Sequence, residues 1–374
     1  MTKIVRVEIG RLDYPLVGDF KFFQGGVRPS VLVRLTDDGG HTGWGQAVPV
    51  ETWTYETVES VQSTLERYLA KAVLGADPTD LADVHARMER AIRPSFSVGQ
   101  PLAKAAIDLA CFDLWGKRTG RSVSDLLGGA RTSEVVMSWT LQSPTLSVVE
   151  TALAAGRAQG YKSFNVKLGY PQTPAYDREL IRLVRALAPT DFLWADANTA
   201  YDIDTALVIA PVLAEAGFAA LESPLPPARI RDYQRLKRQG AVPILMDEGI
   251  VSAVETAEFI ALGMLDGIAM KVARCGGLWH SMAITRELEQ NGLAFFASGL
   301  TDPELSFAAS LHLFAAAGLM RPAALNGPQF IADRGMSDPA CRAVGAMARV
   351  PTGPGLGVAV DARALAALSV SIQA

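Results

Sequence analysis

Cysteine and long apolar runs are scarce in this chain of 374 residues. The three cysteines, Cys111, Cys275 and Cys341, are odd in number and far apart, so neither a disulfide framework nor a cysteine zinc site is expected. No stretch reaches the roughly 20 uninterrupted apolar residues of a membrane-spanning helix, so no membrane association is expected. Residues 1–6 mix charge with apolar side chains, unlike a secretory signal, which predicts a cytoplasmic protein.

An excess of basic charge is also missing, because 35 Lys and Arg face 39 Asp and Glu, giving a net charge of −4. Nucleic acid is therefore not an expected partner. The chain has only four histidines, and each is predicted to lie in a hairpin or a helix, which argues against a His–Asp catalytic pair. Phosphate-binding glycine loops, dinucleotide fingerprints and Gly-x-Ser-x-Gly elbows are absent, so those chemistries are not indicated.

The most informative pattern present is a set of five apolar runs that each end on one charged residue. These residues are Lys167, Asp196, Glu222, Asp247 and Lys271, and successive ones are 24 to 29 residues apart. That interval fits one strand plus one returning helix, which predicts a parallel α/β barrel. Because the C-terminal ends of all barrel strands open on one face, the five side chains are expected around one pocket.

The chain is longer than a bare barrel, so a second domain is expected. Strand-like and then helical patterns over residues 1–130 predict an α+β capping domain, and a strand is predicted at 135–139. Residues 131–330 are predicted to form a (β/α)7β TIM-like barrel. The turn-rich segment 331–374 is predicted to return to the capping domain and complete it.

The three acids, Asp196, Glu222 and Asp247, predict a metal site. Three converging carboxylates cannot all stay ionised in a dry pocket without a cation. Oxygen ligands without Cys or His favour a hard ion, so Mg²⁺ is predicted and Mn²⁺ is the alternative. Any one of the acids taken alone more commonly caps a helix or joins a surface ion pair.

The two lysines predict acid–base chemistry. Lys167 and Lys271 lie on strands four apart in a ring of eight, so they are expected on opposite walls with the metal between them. There they can address both faces of the carbon next to a metal-bound carboxylate, whose deprotonation gives an enediolate. A basic lysine must be neutral, and burial beside a dication is expected to lower its pKa. For each lysine alone the alternative is a structural salt bridge.

At these motifs the chain resembles the enolase superfamily and, within it, the muconate lactonizing enzyme subgroup of the mandelate racemase/muconate lactonizing enzyme family. The matching segments are Asn165-Val166-Lys167, Asp196-Ala197-Asn198, Glu222-Ser223-Pro224, Asp247-Glu248, and Lys271 followed by Gly276-Gly277. The resemblance implies Asp196, Glu222 and Asp247 as metal ligands and Lys167 and Lys271 as the acid–base pair. It also implies Asn198 and Glu248 as supporting groups around the ligands.

The chain departs from the family pattern in two places. Asn165 stands where the family usually has the first lysine of Lys-x-Lys, so Lys167 loses a cationic neighbour. The segment 298–304 also differs from the usual form. Ser298, Asp302 and Glu304 are candidates for contacting substrate there, with Asp302 preferred over Glu304 as the acid. The alternative is that either acid caps the helix that follows.

Substrate specificity is expected from two aromatic loops of the capping domain, near residues 20–26 and 51–55, which the resemblance places over the barrel mouth. An apolar, aromatic or cationic substrate is compatible with these rings. Packing at the domain interface is the alternative for each ring. The candidate substrate-binding rings are Phe20, Phe22, Phe23, Trp53 and Tyr55.

Two opposed lysines most simply predict a racemase or epimerase that acts on a small amino-acid-like or hydroxy-acid-like carboxylate. A muconate-type cycloisomerase is the second hypothesis, and a dehydratase of acid sugars or hydroxy acids is the third. A non-catalytic metal-binding scaffold is the hypothesis of a different class, and it would predict that a ligand or lysine is missing. The resemblance also implies a homo-oligomer.

Overall fold

The computed structural model describes residues 2–18, 20, 22, 26–95, 97–169, 171–332, 337–338, 341 and 343–374. These residues form one four-stranded antiparallel sheet, one eight-stranded parallel sheet and two small sheets. The predicted α/β class, a (β/α)7β barrel with an α+β capping domain, is confirmed. Among the described helices, none has the length and apolar character needed to cross a bilayer.

The capping domain is a sheet covered by helices. Its helix α4 can lie close to strand β3 because Gly45 has no side chain. A Cβ at this position would collide with the carbonyl oxygen of Ala106. Thr57 and Ser60 form a capping box that starts α1. The elements up to the barrel are β1 Ile4–Pro15, β2 Val27–Asp37, β3 Thr42–Ala47, α1 Val58–Thr64, a π-helical turn Leu65–Leu69, α2 Ala70–Val73, α3 Leu81–Ala91, α4 Pro101–Thr119, α5 Val123–Leu126 and β4 Glu134–Val136.

Among the described residues the barrel has eight parallel strands joined by seven helices, and each strand pairs with the next one along the chain. Its strands are β5 Trp139–Leu141, β6 Ser163–Lys167, β7 Phe192–Asp196, β8 Leu221–Glu222, β9 Ile244–Met246, β10 Gly267–Met270, β11 Ala294–Ser298 and β12 Ala323–Ala324. Its helices are α6 Leu146–Ala158, α7 Pro174–Leu187, α8 Ile203–Glu215, α9 Ile230–Gln239, α10 Ala253–Ala261, α11 Leu278–Gln290 and α12 Glu304–Ala317, and the short α13 Gly327–Phe330 follows β12.

Alternate strand residues fill the barrel interior and form its floor. This inner cluster consists of Trp194, Ala220, Leu245, Ala269, Phe296 and Ala324. The charged residue two positions after an inner residue points into the same space, since side chains alternate along a strand. The floor therefore sets the height at which the strand-end charges meet.

The segment predicted as one strand, 135–139, is divided in the structure. Strand β4 pairs antiparallel with the tail, whereas β5 begins the barrel only at Trp139. Between them, Met137 bridges to Ala323 of β12, which brings the two ends of the eight-stranded sheet together.

The C-terminal tail packs against both earlier parts of the chain. Its last strand extends the four-stranded sheet by pairing with β1, as the fold prediction required. The boundaries 1–130, 131–330 and 331–374 stay predictions. The elements of the tail are β13 Ser337–Asp338, β14 Ala343–Val344, β15 Met347–Arg349, β16 Ala359–Val360, α14 Ala362–Ala367 and β17 Leu368–Gln373.

Candidate active site

Five charged residues lie at the C-terminal ends of consecutive barrel strands. Strands β6, β7 and β8 end on Lys167, Asp196 and Glu222 respectively. In the sheet register, Asp196 is the partner of Lys167 on one side and of Glu222 on the other. Asp247 and Lys271 directly follow β9 and β10. All five are buried, and Lys167 is the most exposed at 8%. The structure thus brings the predicted set to one end of the barrel.

The two lysines bind different carboxylates. Lys167 Nζ donates to Asp196 Oδ2 over 2.5 Å. Lys271 Nζ donates to Asp247 Oδ2, and Arg274 donates to the other oxygen and the main-chain carbonyl of the same residue. The lysines therefore approach the carboxylate group from strands on opposite sides of it.

Glu222 lies between the other two acids. Burial raises its pKa well above the usual range, and the nearby charges of Asp196 and Asp247 raise it further. One carboxylate oxygen accepts the indole N–H of Trp194 at 2.9 Å. The other oxygen, Oε1, has no hydrogen-bond partner among the described residues. A buried anion in this state favours a compensating cation.

The pKa values of Lys167 and Asp247 are set by burial and by the opposite charges around them. Burial lowers the pKa of Lys167, but Asp196, Glu222 and Asp247 outweigh it and raise that pKa overall. Burial also opposes ionisation of Asp247, yet Arg274 and Lys271 hold its pKa below the usual range. At Lys167 the three carboxylates thus outweigh the lowering of the pKa that burial alone would produce.

Asn198 and Glu248 link the acids to the capping domain. Asn198 donates its side-chain N–H to Asp196 Oδ2 at 3.0 Å and to Glu248 Oε1 at 3.1 Å. Trp53 of the capping domain donates its indole N–H to the same Glu248 oxygen at 3.3 Å. Asn165 is fully buried in the barrel, and neither side-chain atom has a partner among the described residues.

The carboxylate oxygens of the site are suitable ligands for a divalent cation. Two of the carboxylates, those of Asp196 and Asp247, also bind lysine or arginine side chains. Within the described residues, no group of three or more His, Cys, Asp or Glu side chains forms a ready-made metal cluster. Two buried carboxylate oxygens, Oε1 of Glu222 and Oε2 of Glu248, are nevertheless without partners among these residues. Oxygen donors of this kind suit Mg²⁺ or Mn²⁺, so the residues present fit the expected ion.

The predicted aromatic loops contribute two rings to the site. Trp53 places its ring centroid 4.8 Å from Lys271 Nζ, and Phe22 stacks on Trp53 with centroids 4.3 Å apart. Phe20 is buried against Phe330 and supports these rings from behind. Tyr55 is 64% exposed. Phe23 lies outside the described residues.

The candidates after β11 have different environments. Ser298 is buried at the end of β11, where it pairs with Ala324 of β12. Asp302 accepts hydrogen bonds from the amide of Leu300 at 3.1 Å and from the Ser306 hydroxyl at 2.6 Å, so its carboxylate stabilises the loop and the first turn of α12. Glu304 begins α12 and interacts with Tyr14 of the capping domain.

Sequence reasoning missed three residues that hold the site. Trp194 orients Glu222, Arg274 holds Asp247, and Ser223 Oγ accepts the amide of Asp247 at 3.0 Å. The position of Trp194, two residues before Asp196 on the same strand, was a usable signal because it places the indole on the inner face. Arg274 had no such signal, since its contact depends on the path of a loop.

Comparison with known proteins identifies the family. Residues 147–364 match the model described as "Enolase C-terminal domain-like", and residues 22–128 match the mandelate racemase/muconate lactonizing enzyme N-terminal domain. The chain belongs to the enolase superfamily, in its muconate lactonizing enzyme subgroup. The predicted resemblance is confirmed, and this superfamily member is an isomerase-type enzyme.

Its relatives include enzymes with different reactions. Muconate cycloisomerase 1 of Rhodococcus opacus is 31% identical over 364 residues, which are 96% of each chain. The N-succinyl-L-Arg/Lys racemase of Bacillus cereus is 26% identical over 98% of each chain. The crystal structure of 2-chloromuconate cycloisomerase from Rhodococcus opacus 1CP matches 99% of this chain and 100% of that chain with a TM-score of 0.89 and 26% identity.

Proposed function

We propose that this enzyme removes and returns the proton on the carbon next to a substrate carboxylate, as a racemase or epimerase of an amino-acid-like or hydroxy-acid-like acid. The observation that carries the proposal is the pair of buried lysines, each bound to a different carboxylate, at the C-terminal ends of strands β6 and β10. These strands are four apart in the eight-stranded order, so the two amines lie on opposite sides of the strand-end acids.

Asp196, Glu222 and Asp247 would hold a divalent ion, Mg²⁺ or alternatively Mn²⁺. Such an ion, when bound, stabilises the second negative charge that develops on the substrate carboxylate. The unpartnered oxygen of Glu222 supports this assignment. Asn198 and Glu248 would keep Asp196 oriented.

Within this arrangement Lys271 and Lys167 carry the proton at opposite faces of the substrate carbon. One Nζ accepts the proton, and the other Nζ donates a proton to the opposite face, which inverts the configuration. Trp53 and Phe22 would exclude water above Lys271, since the Trp53 ring lies 4.8 Å from its Nζ. Ser298, at the C-terminal end of β11, is a candidate contact to the substrate.

A muconate-type cycloisomerase is the second candidate. The specific observation in its favour is the 31% identity over almost the whole chain to a muconate cycloisomerase. The same residues would serve, because one lysine would exchange a proton with the carbon next to a bound carboxylate while a lactone ring closes or opens. Dehydration uses the same first step and is the third candidate. A cytoplasmic location and a homo-oligomeric state are further parts of this proposal.

Proton exchange with solvent tests the proposal. The enzyme with Mg²⁺ is incubated in D₂O with each enantiomer of a panel of N-acyl amino acids and 2-hydroxy acids. Deuterium uptake at the α-carbon is followed by NMR. With the native enzyme we expect both enantiomers of the substrate to take up deuterium. Lys167→Ala and Lys271→Ala should each lower the uptake by one enantiomer by about 10²- to 10⁴-fold, the usual contribution of a general base or acid.

Lys162→Ala is the matched control, because Lys162 is exposed just before β6 and should leave both rates unchanged. Cyclisation of muconate without α-deuterium uptake from any acid would exclude the racemase and select the second candidate. Equal ligand binding without turnover in the native enzyme and in Lys271→Ala would instead indicate the scaffold.

A further inference from the structure

Asp108, in helix α4 of the capping domain, reaches across to a helix of the barrel. Its Oδ1 accepts the main-chain N–H of Leu278 at 2.5 Å, and its Oδ2 accepts that of Trp279 at 3.3 Å. These are the first two residues of α11, whose own N-cap residue, Gly277, has no side chain for capping. The carboxylate therefore caps a barrel helix from another domain.

The contact leaves no room for a side chain between its two partners. A Cβ at Gly277 would collide with the carboxylate of Asp108, and Gly277 has φ of 100°, a conformation that favours glycine. Asp108 is fully buried, and its Oδ2 lies 2.8 Å from Nε2 of the buried His85. His85, on α3, thus orients the carboxylate toward α11.

The loop that leads into the capped start of α11 begins at Lys271. The amide of Cys275 donates to the carbonyl of Lys271 at 3.1 Å, and the amide of Gly277 donates to the carbonyl of Val272 at 3.1 Å. The loop from Lys271 to Gly277 is therefore closed by two internal hydrogen bonds. Restraining its end at α11 also restrains its beginning, which carries the Lys271 side chain.

We infer that Asp108 is a positioning residue for Lys271, since it fixes the loop of the barrel lysine to the capping domain by capping α11. This inference rests on the proposed function for its effect on turnover, but its effect on the loop can be measured without substrate. The capping domain would then also position the Lys271 amine, because Asp108 lies on its helix α4.

The test compares Asp108→Asn with Asp113→Asn. Asp113 lies on the same helix and is equally buried, but its carboxylate accepts the amides of Trp44 and Leu356, away from the Lys271 loop. Hydrogen exchange is measured by mass spectrometry over residues 271–279, and the acetylation rate of Lys271 is measured relative to Lys162. We expect both rates to rise at least tenfold in Asp108→Asn and to stay within twofold in Asp113→Asn.

Where a substrate is turned over, Asp108→Asn should lower kcat at least tenfold and change KM less than threefold, since a displacement of about 1 Å can cost on the order of 100-fold in rate. If Asp108→Asn fails to fold, His85→Gln is used and should give the same changes at smaller size. Equal exchange and labelling in the Asp108 and Asp113 variants would overturn the inference. Failure of the proposed function would appear differently, as absent α-proton exchange in the native enzyme.

Discussion

At the scale of single residues, the site depends on how each buried carboxylate oxygen is used. Glu222 has one oxygen bound to the Trp194 indole and one without a partner among the described residues. The indole thus fixes the rotation of the carboxylate and leaves the second oxygen available. Groups that orient metal ligands in this way commonly affect metal affinity by 10- to 100-fold.

Trp194→Phe should therefore weaken Mg²⁺ binding by about 10- to 100-fold, measured by isothermal titration calorimetry. Trp139→Phe is the control, since its buried indole nitrogen has no partner among the described residues and the change in ring size is the same. Equal Mg²⁺ affinities in the two variants would show that the indole hydrogen bond does not orient Glu222.

The sequence predicted the strand-end residues because their position depends only on strand period and parallel connectivity. Lys167, Asp196 and Glu222 end their strands as expected, and Asp247 and Lys271 follow theirs by one position. Their assigned roles stay predictions. Arg274 and Trp53 reach the site through loops and an interdomain contact, and no local pattern encodes such distances.

At the scale of elements, helix α4, like α11, is capped by a carboxylate from elsewhere in the chain. Helix α4 begins after Gln100, which has φ of 53° and gives no side-chain cap. Its first amides, those of Leu102 and Ala103, instead donate to the carboxylate of Glu56 at 2.8 and 3.1 Å. Burial raises the pKa of Glu56 to about 7, although the two amides oppose this shift.

This pKa predicts a pH-dependent stability. An unfolded glutamate has a pKa of about 4.3, so between pH 4 and 7 the folded chain keeps a proton that the unfolded chain has lost. Rising pH then favours unfolding. Glu56→Gln should match the native stability near pH 4 and exceed it by about 3 kcal/mol near pH 8, as measured by urea unfolding. The exposed Glu59→Gln should show no such gain, and a constant difference for Glu56→Gln would contradict the argument.

The limits of element prediction show at residues 135–139. Their apolar run predicts extended backbone, but it specifies neither a partner nor the break between β4 and β5. The structure pairs β4 with β15 from the tail, more than 200 positions later in number, and gives only β5 to the barrel. Pairing at that separation depends on the whole packed chain rather than on local propensity.

At the scale of the whole molecule, buried polar side chains join the capping domain to the loops at the barrel mouth. Trp53 contacts Glu248 after β9, Asp108 caps α11 after β10, and Arg28 binds the loop after β11. The active-site loops are therefore held by the other domain at three successive strands. We expect loss of one contact to release one loop and leave the rest of the fold in place.

Arg28 provides the clearest test, because its guanidinium spans both domains. It donates to the carbonyls of Val48 and Pro49 in the capping domain, at 2.6 and 2.7 Å, and to that of Leu300 in the barrel at 2.8 Å. It is completely buried, and burial lowers its pKa to about 10. Lysine carries one compact ammonium and cannot reproduce this planar fork.

Arg28→Lys should lower the free energy of unfolding by about 3 kcal/mol, since buried carbonyls lose their donors. It should also speed hydrogen exchange over residues 298–302. Arg34→Lys is the control on the same strand, because Arg34 pairs with the partly exposed Glu8 and should cost at most about 1 kcal/mol. Urea unfolding and exchange mass spectrometry measure both effects. If exchange in 298–302 is the same in the two variants, Arg28 stabilises only the capping domain and the loop is held by other contacts.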